Sequence, residues 1–299
     1  MGLFFTLQAS AFALSENPPE KVVVITGASR GIGLASAEYL ASQGYIVYGT
    51  VRASSNTEKL DDACKLYPDH LYKIVLDLTD EQQVTQAINS IVQAQGKIDV
   101  LVNNAAYVLV GTVESCTIQE QIDLFNINYF GTVRTIQAVL PDMRKHKAGK
   151  IINIGSVSGI APYSPWENYS AAKFALRGLS ESMAASLSPW NIHVSIVEPA
   201  TVKTQEMTKD PFGTRLLQEN DPYAFIRNYE SEDSEGMDPV LLGKLLQKII
   251  ETETPHVRYQ IGAFAEELAK SVYVDPTGDA AVQSNIEYYK SIGVLPNHP

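Results

Sequence analysis

The sequence predicts an α/β fold, a doubly wound parallel sheet in a single domain. Short runs that are apolar along their whole length alternate with segments opening on helix-capping residues. The first run passes through a glycine turn straight into a helix, the start of a βαβ unit. Runs without polar alternation suit strands buried on both faces, the condition of a parallel sheet.

Taken in order, Val22-Val23-Val24-Ile25 is the first strand, and the turn Thr26 to Gly33 leads into an apolar helix over Leu34 to Leu40. Further strands are expected at Tyr45 to Tyr48, Ile74 to Leu76, Val100 to Val102, Ile151 to Ile154 and Val194 to Val197. Ser55 with Glu58, Thr79 with Gln82, and Thr117 with Glu120 each fit a capping box that satisfies the free N–H groups of a helix start. Past Thr204 the character changes. Gln205 to Met237 is polar and broken by Pro211, Gly213, Pro222 and Gly236, with Phe212, Tyr223, Phe225 and Tyr229 scattered along it. So long a connection is expected to be either a disordered loop or a substrate lid, and is read as the lid. A helix from about Pro239 to Glu251, a last strand at Val257 to Ile261 and a polar tail follow. Residues 205–299 therefore elaborate one domain spanning 21–299, and residues 1–20 form an N-terminal arm. Met1 to Leu14 is apolar (Leu3, Phe4, Phe5, Leu7), and Ala11-Phe12-Ala13 resembles a cleavage box. The stretch lacks a basic start and is too short to span a bilayer.

The 299 residues include 45% hydrophobic ones, ample for a large core, and carry a net charge of -11. Such an acidic surface repels phosphate backbones and anionic lipid, so neither a nucleic-acid partner nor peripheral membrane binding is expected, and no other apolar run approaches membrane length. The two cysteines, Cys64 and Cys116, form no C-x-x-C pair, which favours a reducing, cytoplasmic setting. The five histidines show no ligand spacing, and no metal is expected.

The turn Thr26-Gly27-Ala28-Ser29-Arg30-Gly31-Ile32-Gly33 has the chemistry of a pyrophosphate cradle. Backbone N–H groups can approach the anion only where no Cβ intervenes, and the helix behind adds partial positive charge. Its spacing is G-x-x-x-G-x-G, not the general G-x-G-x-x-G, and no Gly-Lys-Ser/Thr follows. Gly27, Ser29, Arg30, Gly31, Ile32 and Gly33 are the candidate contacts; the alternative is a tight turn using glycine for geometry alone. The second strand ends Gly49-Thr50-Val51-Arg52, with no carboxylate to accept the adenosine ribose hydroxyls. Arg52 and Arg30 instead match a 2′-phosphate, which favours NADP over NAD; otherwise Arg52 is a solvated strand end.

With these residues in place the sequence resembles the short-chain dehydrogenase/reductase family over Lys21 to Thr204. The motifs, in family order, are Thr26 to Gly33, Asp77-Leu78, Asn103-Asn104-Ala105-Ala106, Asn128, Ser156, Tyr169-x-x-x-Lys173, and Pro199 with Thr204. Among 15 tyrosines one Tyr-x-x-x-Lys proves little, but Ser156 standing 13 residues ahead of Tyr169 is far more specific. The resemblance implies a Rossmann-type fold and cofactor contacts from Asp77, Leu78, Asn104, Tyr169, Lys173, Pro199, Val202 and Thr204. It also implies that Lys173 reaches the nicotinamide ribose and that Asn128 holds a relay water behind the lysine.

The chemistry follows from residue types. A phenol ionises at about 10 and is a poor base at neutral pH. An ammonium one helical turn away shares its face and stabilises the phenolate, so Lys173 activates Tyr169. Lowering that pKa by about three units takes about 4 kcal/mol. Ser156 would donate a hydrogen bond to the substrate oxygen, where charge develops. Structural alternatives exist for each: Tyr169 opens an apolar stripe through Ala172, Leu176, Leu179, Met183 and Leu187 and could be a core tyrosine, Lys173 could be a snorkelling surface lysine, Ser156 could cap a strand end, and Asp77 could cap a turn. Where the family has glycine this chain has Ala106 and Ala200, and an added methyl at either could tighten the nicotinamide pocket.

Ile160, Pro162, Tyr163, Pro165 and Trp166, with Tyr107, Val108, Leu109 and Val110, are expected to wall a site for a bulky, mostly apolar alcohol or ketone. The long C-terminal part resembles the hydroxysteroid and retinol dehydrogenase branch. The expected activity is therefore NADP(H)-dependent interconversion of a ketone or aldehyde and an alcohol on a steroid-, retinoid- or lipid-like small molecule. The alternatives are a 3-oxoacyl reductase-like enzyme and a non-catalytic NADP(H)-binding sensor or scaffold. A homodimer or homotetramer, assembled through the helix carrying Tyr169, is the family-based expectation.

Overall fold

The computed structural model describes residues 21–162, 164–204, 212–216, 218, 220–223, 236–280, 283, 286 and 287. The N-terminal arm at 1–20, Tyr163, Pro211, Phe225 and Tyr229 lie outside the described residues.

Seven strands form one parallel sheet: β1 (Val22–Ile25), β2 (Ile46–Val51), β3 (Leu71–Val75), β4 (Val100–Asn103), β5 (Gly149–Ile154), β6 (Ile192–Pro199) and β7 (Arg258–Ile261). Their spatial order is β3-β2-β1-β4-β5-β6-β7. The chain winds outward from β1 to the β3 edge, returns to β4, and then winds the other way. Reversal between β1 and β4 opens a crevice at the carboxyl ends of those strands, where such sheets bind ligands.

The helices are α1 (Gly31–Ser42), α2 (Glu58–Leu66), α3 (Glu81–Gln95), α4 (Ile118–Phe125), α5 (Thr132–His146), α6 (Glu167–Leu187), α7 (Val240–Glu251) and α8 (Ala263–Val272). Successive strand residues point to opposite faces, and each face meets a helical layer. Val23, Ile25, Val47 and Val102 pack under Leu34, Ala37 and Leu40 of α1 and Leu242, Leu246 and Ile249 of α7. Val22, Val24, Leu101 and Ile151 pack under Ile88 and Ile91 of α3, Ile136 and Val139 of α5, and Leu187 of α6. Both faces being apolar is why the strands read as unbroken runs.

Of the three expected capping boxes, the one at Thr117 forms. Its hydroxyl accepts from Glu120 N at 3.2 Å while Glu120 Oε2 accepts from Thr117 N at 2.7 Å. The other two are corrected. Helix α3 is capped by Asp80, whose Oδ1 accepts from Gln82 N at 2.9 Å and Gln83 N at 3.0 Å. A carboxylate takes two amides at a positive helix end more strongly than a hydroxyl takes one. Helix α2 starts after Thr57 rather than Ser55, with Asn56 Oδ1 accepting from Glu58 N at 3.0 Å. The expected polar tail also holds a helix: Ala265 and Ala269 of α8 bury against Val157 and Ile160. Around the insertion after Thr204, two isolated bridges join Val202 to Met237 and Val110 to Phe212. Among the described residues no helix is long and apolar enough to cross a membrane.

Candidate active site

The crevice is lined first by the turn after β1. No side chain caps α1, so its leading amides are available to an anion. A Cβ at Gly33 would overlap the Gly27 carbonyl oxygen and lie 2.6 Å from Asn104 Nδ2, so only glycine lets the helix start this close to β1. Gly31 takes φ +56°, and a Cβ there would meet Thr204 Cγ2 at 2.9 Å. Thr204, distant in sequence, thus sits over the turn. Asn104 acts on the turn itself: its Nδ2 donates to Thr26 O at 2.9 Å and Gly27 O at 3.2 Å. Thr26 Oγ1 in return accepts from Asn104 N and Ala105 N, each at 3.0 Å.

Beside the turn lies a cavity of about 510 Å³, lined by Ser29, Arg30, Gly31, Arg52, Lys59 and Lys203 among others. The two arginines expected to meet a 2′-phosphate do line one space. Two lysines joining them were not foreseen. Lys59 lies in the first turn of α2, and Lys203 sits between the motif residues Val202 and Thr204, so only folding gathers the four cations. Glu38 and Glu58 share the cavity, and burial pushes the Glu38 carboxyl above the usual range against the pull of Lys59.

Asp77 and Leu78 lie just after β3. Asp77 Oδ1 accepts from Thr79 N and Thr79 Oγ1, both at 2.8 Å, as a turn cap. The Leu78 side chain is buried with Leu76 and Val84, and its carbonyl accepts from Arg134 Nη1 at 3.0 Å.

Ser156 follows β5 and opens the 3₁₀ turn Val157–Gly159, its Oγ accepting from Ser158 N at 3.1 Å. Helix α6 carries Tyr169 and Lys173 on one face. Lys173 is wholly enclosed, its Nζ donating to Ile154 O at 2.8 Å and standing 5.5 Å from the Tyr169 ring centroid. Loss of water alone pulls the ammonium down to about 8. An ammonium over a phenol ring favours the ionised form of that phenol. Tyr169 is half-buried, edge-on to Trp166 with centroids 5.8 Å apart, and is not enclosed in the core as the apolar stripe allowed.

Asn128 lies buried in a π-helical turn, Asn126–Gly131. Its Oδ1 accepts from Tyr107 N at 2.7 Å and its Nδ2 donates to Tyr107 O at 2.8 Å. Its side chain is thereby spent on fixing the chain after β4. A ladder behind the site escaped the sequence. Asn103 Nδ2 donates to Asn153 Oδ1 at 2.9 Å, and Asn153 Nδ2 to Ser180 Oγ at 2.8 Å, joining β4, β5 and α6 through buried groups.

Pro199 ends β6, and Val202 bridges Met237. Of the two positions where the family has glycine, Ala106 is exposed, and the Ala200 methyl faces Gly262 and joins the cluster under α8. Among the expected wall residues, Ile160 (1% exposed), Leu109 (0%) and Val110 (2%) are core instead, Ile160 because α8 covers it. Pro162 is exposed and Pro165 buried. The partly open apolar side chains are Val108, Trp166, Phe212 and Tyr223, seated on Val110 and Leu216, with Tyr107 nearby beside Tyr169.

Comparison with known proteins agrees. The short chain dehydrogenase family model matches residues 21–212. A 3-ketodihydrosphingosine reductase of Bacteroides thetaiotaomicron is 38% identical over 84% of this chain and 91% of its own. Retinol dehydrogenase 8 of Bos taurus is 32% identical, covering 89% of each. A short-chain dehydrogenase structure from Streptomyces avermitilis superposes with TM-score 0.76 at 32% identity, covering 93% of this chain and 98% of the other. A metagenomic short-chain oxidoreductase in complex with NADP gives 0.65 at 25% identity, covering 81% and 96%. The glycine turn, the Ser156–Tyr169–Lys173 constellation and these matches together place the chain in the short-chain dehydrogenase/reductase family, as an oxidoreductase acting on CH–OH groups.

Proposed function

We propose that the protein is an NADP(H)-dependent oxidoreductase that interconverts a bulky, mostly apolar ketone and its alcohol, with Tyr169 as the general acid and base. The observation that carries this is the enclosed Lys173 ammonium 5.5 Å from the half-buried Tyr169 ring. The residues fit a dinucleotide: an uncapped helix start, a cradle that a Cβ at Gly33 would fill, and four cations at one end. Bound there, NADPH would supply the hydride that the carbonyl carbon takes up. Ser156, whose Oγ accepts from Ser158 N, would donate a hydrogen bond to the carbonyl oxygen and keep its proton. Tyr169 gives its phenolic proton to the same oxygen as charge builds there, and Lys173 stabilises the phenolate left behind. Asn128, whose side-chain amide is engaged with Tyr107, would hold the relay water behind Lys173 that the family resemblance implies.

The cation cluster of Arg30, Arg52, Lys59 and Lys203 supports NADP over NAD, as does the NADP found in the metagenomic relative. The apolar side chains of Val108, Trp166, Phe212 and Tyr223 support a lipid-like substrate, in line with the sphingoid and retinol relatives. Exposed Ile118, Ile122 and Phe130 on and after α4 support a homo-oligomer built on the face shared with α6. Free Cys64 and Cys116 suit a reducing, cytoplasmic compartment.

The test is NADPH consumption with a long-chain 3-keto amino alcohol, retinal, a ketosteroid and a 3-oxoacyl thioester. We expect saturable turnover of at least one of the first three, about tenfold or more above the thioester, a margin one well-placed apolar contact supplies. Preference for the thioester would favour the acyl-reductase alternative, and NADPH binding without turnover of any would favour a sensor. The pH dependence has a definite sign. Lys173 is charged below about 8 and neutral above it, so reduction should fall through that pH as the phenolate loses its stabilising charge.

A further inference from the structure

We propose that Tyr273 is a positioning residue whose hydroxyl locks three catalytic segments together: the Ser156 turn, the helix carrying Tyr169 and Lys173, and the strand end before Pro199. This rests on the catalytic roles proposed above, and the residue lies beyond the family-matched stretch, just after α8.

The Tyr273 hydroxyl donates to Glu198 Oε1 at 2.9 Å and accepts from Arg177 Nη1 at 2.8 Å. The same Arg177 nitrogen donates to Gly159 O at 2.7 Å. Gly159 closes the turn that Ser156 opens, with Gly159 N donating back to Ser156 O at 2.8 Å. Arg177 stands one helical turn beyond Lys173, on the same face of α6. Glu198 directly precedes Pro199 and is wholly buried, its second oxygen accepting from Gln260 Nε2 at 2.7 Å. One phenol thus joins the parts of the chain that aim Ser156, Tyr169 and the Pro199–Thr204 segment.

The surroundings are charge-balanced. The Arg258 guanidinium lies 4.3 Å and that of Arg177 5.3 Å from the Tyr273 ring centroid, and Arg258 Nε donates to Glu181 Oε1 at 2.8 Å. Two arginines therefore face two carboxylates, Glu198 and Glu181, around the ring. For stability alone an apolar plug would serve as well, because enclosing such groups carries a desolvation cost. Directional bonds fix distance and angle in a way that apolar contact does not. Catalysis needs that accuracy, since a misplacement of about 1 Å can cost about a hundredfold in rate.

Tyr273→Phe removes the hydroxyl and keeps the ring between the arginines. We expect kcat for carbonyl reduction to fall about 10- to 30-fold, within the range a sub-ångström misplacement allows. KM for the ketone should stay within about twofold, because no group that touches the ketone has been replaced. Amide exchange should speed up about tenfold at Gly159 to Ala161 and Ala200 to Val202 and stay unchanged across β1 and β4, as a local opening would give. A kcat within twofold of the parent, or exchange that rises equally across β1 and β4, would overturn the proposal. Should the parent enzyme reduce no ketone, the catalytic reading fails by itself and the exchange pattern alone decides the lock.

Discussion

Tyr169→Phe is expected to lower kcat for ketone reduction by about 10³-fold, while NADPH binds as before. General acid–base groups contribute about 10²- to 10⁴-fold, and this phenol is the one proton donor we place against the carbonyl oxygen. The substitution leaves the ring, which keeps its edge-on contact with Trp166 and its seat on Leu109, Leu124 and Ala172. The protein should therefore fold normally, and the loss should appear in kcat rather than in the melting temperature. Ser156 remains to polarise the carbonyl, which is why some turnover should survive. Steady-state kinetics with matched NADPH titrations check this, and turnover within threefold of the parent would move the proton donor elsewhere.

Arg52→Asp is expected to weaken NADPH by about 100-fold and NADH by less than about threefold. A charge-assisted hydrogen bond to phosphate is worth about 1.5–3 kcal/mol, and the new carboxylate adds repulsion of the same sign. A carboxylate at the end of β2 also suits the free ribose hydroxyls of NADH. Lys59, Lys203 and Arg30 remain around the cavity, so binding of NADPH should be weakened and not abolished. Fluorescence titration of both dinucleotides measures the ratio. Equal losses for the two would show that Arg52 does not meet the phosphate.

How far the sequence told this in advance depended on how local each signal was. The strands were legible because both faces of the sheet are covered, so Val22 and Val24 are as apolar as Val23 and Ile25. Lys173 and Tyr169 were legible because one helical turn puts them on one face. The wall of the substrate site was read only by composition, which cannot say that α8 covers Ile160 or that Leu109 and Val110 point inward. Helix α8 itself was hidden, since its buried side is made of the small Ala265 and Ala269 rather than large side chains. Ser55 and Thr79 carried capping chemistry, but Asn56 and Asp80 stood closer to the helix starts and took those roles. Lys203 beside Arg30, and Tyr273 beside Arg177 and Glu198, depend on chain crossings that no spacing encodes.

The acidity of one phenol can be read directly from the difference in ultraviolet absorbance between the parent protein and Tyr169→Phe as pH is raised. The same difference taken in a Lys173→Met background isolates what the ammonium does. We predict that Tyr169 ionises below the ordinary phenol range of about 10 when Lys173 is present, and within that range when it is replaced by methionine. Identical titrations in the two backgrounds would contradict the account.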